Sequence, residues 1–481
     1  MKQLVLILIL TLRGLAADAF DSVRDSIRTG LVSTGMPSIA VAVARDGKIL
    51  WEEGFGWADR EKRIPASEHT MYSLASISKP ITATGLMILV QAGKVDLDKP
   101  VNDYLGNAKL RARVGGAREA TVRRVANHSS GLPLHYQFFY EDEPYRAPSA
   151  DETILRYGQL VTVPGEKYQY SNIGYGVLGY LISRVSGRPY VDFMRSEVFL
   201  KLGLSRTSVN IGPGLENFHA IRYGPDGLPI PFYDFDHPAA SAVYSSAHDL
   251  VRFGMFHLKA HLTDQAAILS DASIDAMRVS TMAAGIDSGY GIGWATQGKV
   301  VSHTGGMGGV ATTLRLVPSE NLAVVVLCNG ASQLPHRIAD RILEKMIPGW
   351  KAPAPLAPSD QAAEKRTFQP PPELAGEWRG SLHTYEKDLP LTLRIFASGD
   401  VHAKIGNQLE TLLSGAVWSE NELRGAMTGD IGTADANRRP YTLSLALKLR
   451  GETLSGPASA ISLPGLRAGN ALTQWVELKK P

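Results

Sequence analysis

Apolar positions recur at several different spacings along this chain, and each spacing predicts an element. After Met1-Lys2-Gln3 the residues from Leu4 to Leu12 are nearly all apolar, and Ala17-Asp18-Ala19 follows. A basic start, a short apolar core and an A-x-A step predict a secretory signal peptide over residues 1–19, and with it a secreted or periplasmic location. Arg13 shortens the apolar core, so an uncleaved N-terminal anchor is the alternative. No other stretch reaches the ~18 apolar residues of a membrane span, and none is expected. Phe20 to Ser33 has amphipathic helical spacing. Ser38 to Ala44 reads as a strand and Ile49 to Trp57 as its return. Between them Arg45-Asp46-Gly47-Lys48 is a hairpin turn, with Asp-Gly supplying positive φ. Ser76 to Ala92 predicts a buried helix, with Pro80 in its first turn, where the missing N–H costs little. Asn172 to Val185 predicts another, with Ile173, Val177, Leu181 and Ile182 at helical spacing. Val300 to His303, Thr312 to Val317 and Leu322 to Leu327 read as successive antiparallel strands. Strands at both ends of residues 20–348, with helices between, predict an α/β body whose antiparallel sheet joins the two ends.

Beyond that body the composition changes. Pro353, Pro355, Pro358, Pro370, Pro371 and Pro372 crowd residues 349–372, which predicts a semi-rigid linker. Residues 373–481 are β-rich. Leu391 to Phe396, Leu412 to Trp418, Tyr441 to Leu449 and Gln474 to Leu478 read as strands parted by Gly, Asn and Asp turns. They predict a small all-β C-terminal domain, a barrel or a sandwich. Its opening, Leu374-Ala375-Gly376-Glu377-Trp378-Arg379-Gly380, resembles the start of lipocalin-like modules. A packing domain without a ligand is expected, with a lid or specificity element as the alternative.

Composition narrows the partners. Of 481 residues 44% are hydrophobic and 20% charged, as in ordinary soluble proteins. Lys plus Arg is 50 against 47 Asp plus Glu, a net charge of +3, which predicts no nucleic-acid partner. The densest basic stretch, Arg111, Arg113, Arg118, Arg123 and Arg124, lacks interleaved aromatics and reads as a solvated face. Cys328 is the single cysteine, so no internal disulfide forms. It ends the apolar run Leu322 to Leu327 and reads as a small core residue.

The candidate chemistry centres on Ser76-Ile77-Ser78-Lys79. A serine three residues before a lysine shares one face of a helical turn. The flanking Met71, Tyr72, Leu74, Ile81, Leu86, Met87 and Leu89 are apolar, so Lys79 is expected to be buried. Burial disfavours an ammonium, and a neutral amine can take the serine proton. Tyr170-Ser171-Asn172 and His303-Thr304-Gly305 follow in that order. Secondary markers are Asn127-His128-Ser129-Ser130-Gly131-Leu132-Pro133, Pro164-Gly165 and Tyr290-Gly291-Ile292-Gly293-Trp294.

From about Phe20 to about Met346 this set resembles the serine penicillin-recognising family. That family includes class C β-lactamases, D-alanyl-D-alanine carboxypeptidases, D-aminopeptidases and family VIII carboxylesterases. The resemblance implies the β-lactamase/transpeptidase-like fold, an antiparallel sheet flanked by helices plus an all-helical lobe, and a serine hydrolase working through an acyl-enzyme. Ser76 is the expected nucleophile. Lys79 and Tyr170 are both candidate bases, and the residues do not choose between them. Ionising Tyr170 needs nearby positive charge, which Lys79 and His303 are expected to supply. Asn172 offers an amide to the substrate carbonyl, and Thr304 a hydroxyl to a substrate carboxylate. The resemblance makes the N–H groups of Ser76 and Gly306 the oxyanion hole, with Gly305 and Gly306 allowing close approach. His303 departs from the lysine of class C β-lactamases, which weakens the case for efficient β-lactam hydrolysis. The leading expectation is a D-Ala-D-Ala carboxypeptidase or D-aminopeptidase type of activity. A carboxylesterase with weak β-lactamase activity and a non-catalytic scaffold are the alternatives. The expected partner is a small-molecule or peptide substrate, with no metal and no cofactor. His257 and His261, placed i, i+4 on one expected helix, lack a third zinc ligand. His128 is expected to brace a buried turn, and Tyr168 either lines the cleft or packs.

Overall fold

A computed structural model of the chain describes residues 19–285, 288–351 and 368–481. The expected signal peptide, but for Ala19, and most of the expected linker lie outside the described residues. Among the described residues no helix is long and apolar enough to cross a membrane. The chain divides into two compact units: residues 1–99, 140–144 and 178–352 in the first, and 100–139, 145–177 and 353–481 in the second.

The first unit is built on a nine-stranded antiparallel sheet. In chain order its strands are β1 (Ser38–Arg45), β2 (Lys48–Asp59), β3 (Ile64–Pro65), β4 (Met282–Gly285), β5 (Ser288–Tyr290), β6 (Ala295–Gln297), β7 (Val300–Met307), β8 (Val310–Val317) and β9 (Leu322–Cys328). Their spatial order is β4-β5-β6-β7-β8-β9-β1-β2-β3. The expected joining of the two ends is the β1–β9 pairing, with Ile39 opposite Cys328 and Val43 opposite Val324. The Asp-Gly turn forms as expected, Asp46 at φ 51° and Gly47 at φ 73°.

Both faces of the central strands are covered, so β1 from Ile39 to Ala44 and all of β9 are apolar rather than alternating. On one face Ile39, Val41, Val43, Val324, Val326 and Cys328 form a core with α1 (Asp21–Thr34) and, further along the chain, Leu334–Met346. Burial pushes the Cys328 thiol pKa up, which fits an inert core residue. The helix Ala247–His257 lies against β1, β8 and β9. A side chain at Gly254 would begin 3.1 Å from Leu316 and 3.2 Å from Ala323, so a glycine lets this helix approach. The helix stops at His257. His261, expected on the same helix, lies beyond it, exposed and beside Asp271 at 3.1 Å, whereas His257 is buried against Thr84 at 3.0 Å.

In the second unit the segments 100–139 and 145–177 accompany a C-terminal all-β domain. Its strands are β10 (Gly376–His383), β11 (Asp388–Ile395), β12 (Val401–Ile405), β13 (Thr411–Leu412), β14 (Ser414–Ser419), β15 (Glu422–Met427), β16 (Tyr441–Arg450), β17 (Thr453–Ser462) and β18 (Ala471–Lys479). The order β13-β12-β11-β10-β18-β17-β16-β15-β14 is an up-and-down antiparallel meander whose first strand pairs with its last. Its two edge strands are parted only by Leu413. Leu391, Leu393 and Ile395, like Leu443, Leu445 and Leu447, alternate into its core. β18 breaks the alternation, buried from Ala471 to Val476. It and the residue before it meet those two segments: Tyr136 pairs with Ala471, Gln159 Nε2 donates to Thr473 O at 3.0 Å, and Phe138 N–H donates to Asn470 Oδ1 at 3.0 Å. Asp435 accepts hydrogen bonds from Tyr157 and, at 2.9 Å, from Tyr385.

Candidate active site

The segment carrying Ser76, the expected nucleophile, is held in a conformation that sequence spacing does not reveal. Instead of starting an α-helix, Ser76 lies in a single 3₁₀ turn, Ala75–Ile77, and α2 runs from Ser78 to Gln91. Ala75 has φ 47°, in the left-handed region that costs a non-glycine residue roughly 1–2 kcal/mol. Local bonds hold it there. Ser78 Oγ donates to Ala75 O at 2.7 Å and accepts from Val243 N–H at 3.0 Å. Leu74 N–H donates to Val243 O at 2.8 Å. A small antiparallel sheet, Tyr72–Ser73 with Val243–Ser245 and Thr207–Val209, anchors the approach to the turn.

Lys79 is fully buried in the first turn of α2, as expected. Its Nζ lies 3.1 Å from Ser76 Oγ and 3.1 Å from Ala240 O. Desolvation holds its pKa well below the ordinary lysine value. The neutral amine has two N–H donors and a lone pair. One N–H can satisfy Ala240 O while the lone pair faces the Ser76 hydroxyl. Gly293, at φ 84°, makes this packing possible, because a side chain there would begin 2.6 Å from Ala83 and 2.9 Å from Pro80.

β7 brings the third motif against the same turn, past the end expected from sequence at His303. A side chain at Gly305 would begin 2.0 Å from Leu74 O and 2.3 Å from Thr312 Oγ1. Gly305 is therefore a packing requirement. Gly306 is different. It is exposed, has an unstrained φ, and a side chain there would meet nothing within 4 Å. Thr304 is exposed as well, while His303 is buried at 5% exposure.

His303 corrects one expectation. Its Nδ1 faces Thr304 O at 2.8 Å, so that nitrogen donates; Nε2 then accepts from Tyr290 OH at 2.9 Å. Burial, followed by the neighbouring Lys79, lowers its pKa to about 3. His303 is neutral near pH 7 and supplies no positive charge to ionise a tyrosine. Sequence reading noted Tyr290 only as a marker and missed its role as the partner fixing this tautomer.

Tyr170 and Asn172 belong to the second unit. Asn172 opens the helix Asn172–Ser186, and the hydroxyl of Ser171 caps it by accepting from Gly174 N–H at 3.1 Å. His128 braces the motif, as expected. Its Nδ1 accepts from Ser171 N–H at 3.1 Å, and its carbonyl accepts from Gln169 N–H at 2.7 Å. Its ring packs on Tyr170 at 4.5 Å and on the half-buried Tyr168 at 5.7 Å.

The Beta-lactamase family model matches residues 23–346. The chain belongs to the Beta-lactamase family. Penicillin-binding protein 4* of Bacillus subtilis (strain 168) is 26% identical to this family member over 350 residues, 67% of this chain and 74% of the other. The octameric penicillin-binding protein homologue from Pyrococcus abyssi shares its fold with a TM-score of 0.59 at 21% identity. That likeness covers 94% of this chain and 99% of that one, so it reaches into the C-terminal strands beyond the family match. A β-lactamase/D-alanine carboxypeptidase from Pseudomonas syringae shares the fold with a TM-score of 0.58 at 21% identity, over 67% of this Beta-lactamase-family chain and 97% of its own.

Proposed function

We propose that this Beta-lactamase-family chain is an exported serine hydrolase that acts through an acyl-enzyme on Ser76. The observation that carries the reading is the buried Lys79 amine 3.1 Å from Ser76 Oγ. Ser76 Oγ attacks the substrate carbonyl as its proton passes to Lys79 Nζ or to Tyr170. The oxyanion is held by the N–H groups of Ser76 and Gly306, two donors each worth roughly 3–4 kcal/mol in a comparable site. Asn172 orients the substrate carbonyl. The leaving group departs with a proton returned by Lys79 or Tyr170, and water then hydrolyses the ester on Ser76.

The substrates are D-amino-acid peptides of the cell-wall type, with the leaving-side carboxylate on the exposed Thr304. The name of the Pseudomonas relative, which pairs β-lactamase with D-alanine carboxypeptidase, supports this choice. The neutrality of His303 favours a second reading, an esterase on small uncharged acyl esters, because the strand offers no fixed cation. Turnover of a D-Ala-D-Ala peptide, 4-nitrophenyl acetate and nitrocefin by the mature protein tests the choice. The reading predicts release of D-alanine as the preferred reaction. Ester turnover without peptide turnover would move the assignment to the second reading.

A further inference from the structure

Arg222 is a buried cation that the acylation chemistry leaves unused. It is 5% exposed and sits on a hairpin turned by Pro225-Asp226-Gly227. Gly224 N–H donates to Leu228 O at 2.9 Å and Ile230 N–H to Arg222 O at 2.8 Å, which closes the hairpin. Tyr223 N–H donates to Asn329 O at 3.0 Å, which ties the hairpin to the end of β9. The guanidinium carbon lies 3.4 Å from the Tyr233 ring centre, 5.3 Å from Phe232 and 5.7 Å from Tyr244. Aromatic faces attract a cation, and the Tyr233 side chain also takes a hydrogen bond from the guanidinium, but the rings leave other N–H donors unfilled. Among the described residues no carboxylate pairs with Arg222, and its buried Nη1 has no hydrogen-bond partner. Buried charges are ordinarily paired and their donors filled.

Arg222 also lines a cavity of about 770 Å³, walled by Ile221, Ile230, Phe232 and Tyr244. Glu141, Asp142 and Glu216 line it too, but they are exposed. Glu141 already accepts from Phe232 N–H at 2.9 Å, and Glu216 from Gly214 N–H at 3.1 Å. Solvent and salt screen these exposed carboxylates far more than they screen a buried guanidinium.

The cage is joined to the reacting segments. A side chain at Gly309 would begin 2.7 Å from Arg222 Cβ, and Tyr233 OH donates to Gly308 O at 2.5 Å. Both glycines follow Gly306 on the turn after β7. Tyr244 pairs with Ser73, three residues before Ser76. A substrate lying along β7 with its carbonyl at Gly306 sends one arm toward Thr304 and the other toward Gly308 and Gly309. We propose that Arg222 is a specificity-determining residue that binds a carboxylate on that second arm, the acyl portion of the substrate. This deepens the hydrolase reading and rests on it.

Two esters with one leaving group test the assignment: mono-4-nitrophenyl adipate, which carries the carboxylate, and 4-nitrophenyl hexanoate, which does not. The readout is the ratio of their kcat/KM values. Loss of a charge-assisted hydrogen bond predicts that Arg222→Met lowers this ratio about ten- to hundredfold, mainly through KM. Arg222→Lys is expected to restore part of it. An unchanged ratio in Arg222→Met would overturn the assignment and leave Arg222 a packing residue. Should Arg222→Met not fold, the wild-type ratio decides: it is expected to exceed one about tenfold or more. A ratio of one or below would overturn the assignment. Failure of both esters to acylate Ser76 would refute the hydrolase reading itself and take this assignment with it.

Discussion

In the proposed mechanism, with Lys79 as the base, its burial sets the protonation chemistry at Ser76. A charged ammonium has no lone pair to receive a proton, so the amine works only above its own pKa. Desolvation lowers that pKa, which brings the working form toward neutral pH. The rate is therefore expected to rise with pH through the lowered Lys79 value and then level. Lys79→Arg, permanently charged, is expected to lose about 10²–10⁴-fold in kcat at every pH, measured by ester turnover. Two buried histidines act on stability instead. His257 and His303 both titrate near 3 in the folded protein, against an ordinary 6.5. Between those values the unfolded chain binds protons that the native state refuses, so stability falls as pH drops from about 6.5 toward 3. Each histidine contributes a slope of roughly 1.4 kcal/mol per pH unit. Urea unfolding of His257→Gln between pH 7 and 4 is expected to show about half of the pair's slope; an unchanged slope would refute the assignment. The serine–lysine pair was legible in the sequence because both members fall within four residues. The neutrality of His303 was not, because it depends on burial and on Lys79, more than two hundred positions away in the chain.

At the scale of elements, the hairpin after β1 and the central strands were legible because local chemistry and tertiary context agree. Asp46-Gly47 wants positive φ, and an all-apolar strand wants two covers. The turn carrying Ser76 was not legible. Helical propensity would continue α2 back through Ser76, yet the bonds from Ser78 and Val243 hold Ala75 at positive φ. β18 illustrates the same limit, since its burial on both faces involves residues 136–159, distant in sequence. Two adjacent glycines separate packing from function. Gly305→Ala would drive a methyl into Leu74 O and Thr312 and is expected to cost roughly 1–3 kcal/mol, read as a lower Tm. Gly306→Ala meets only open space, so Tm is expected to hold while kcat/KM falls. A Tm loss in Gly306→Ala equal to that in Gly305→Ala would remove the case for a reserved approach to the oxyanion donor.

Across the whole molecule, the sequence predicted a sheet-based body and a β-rich C-terminal domain. It did not show that the latter packs as one unit with the segment bearing Tyr170, because the hydrogen bonds responsible link residues hundreds of positions apart. Asp435 is central to that packing. It is buried, takes hydrogen bonds from Tyr157 and Tyr385, and lies 4.0 Å from Arg156. Asp435→Ala leaves two phenols without their acceptor and is expected to cost about 1–3 kcal/mol in chemical unfolding. No change in stability would contradict this role. The central claim, however, is covalent chemistry at one serine. Intact and peptide mass spectrometry of the mature protein, quenched during turnover of 4-nitrophenyl acetate, nitrocefin or a D-Ala-D-Ala peptide, tests it most directly. An acyl adduct confined to Ser76, absent in Ser76→Ala, is the predicted result. Turnover with no adduct on Ser76, or turnover that survives in Ser76→Ala, would contradict it.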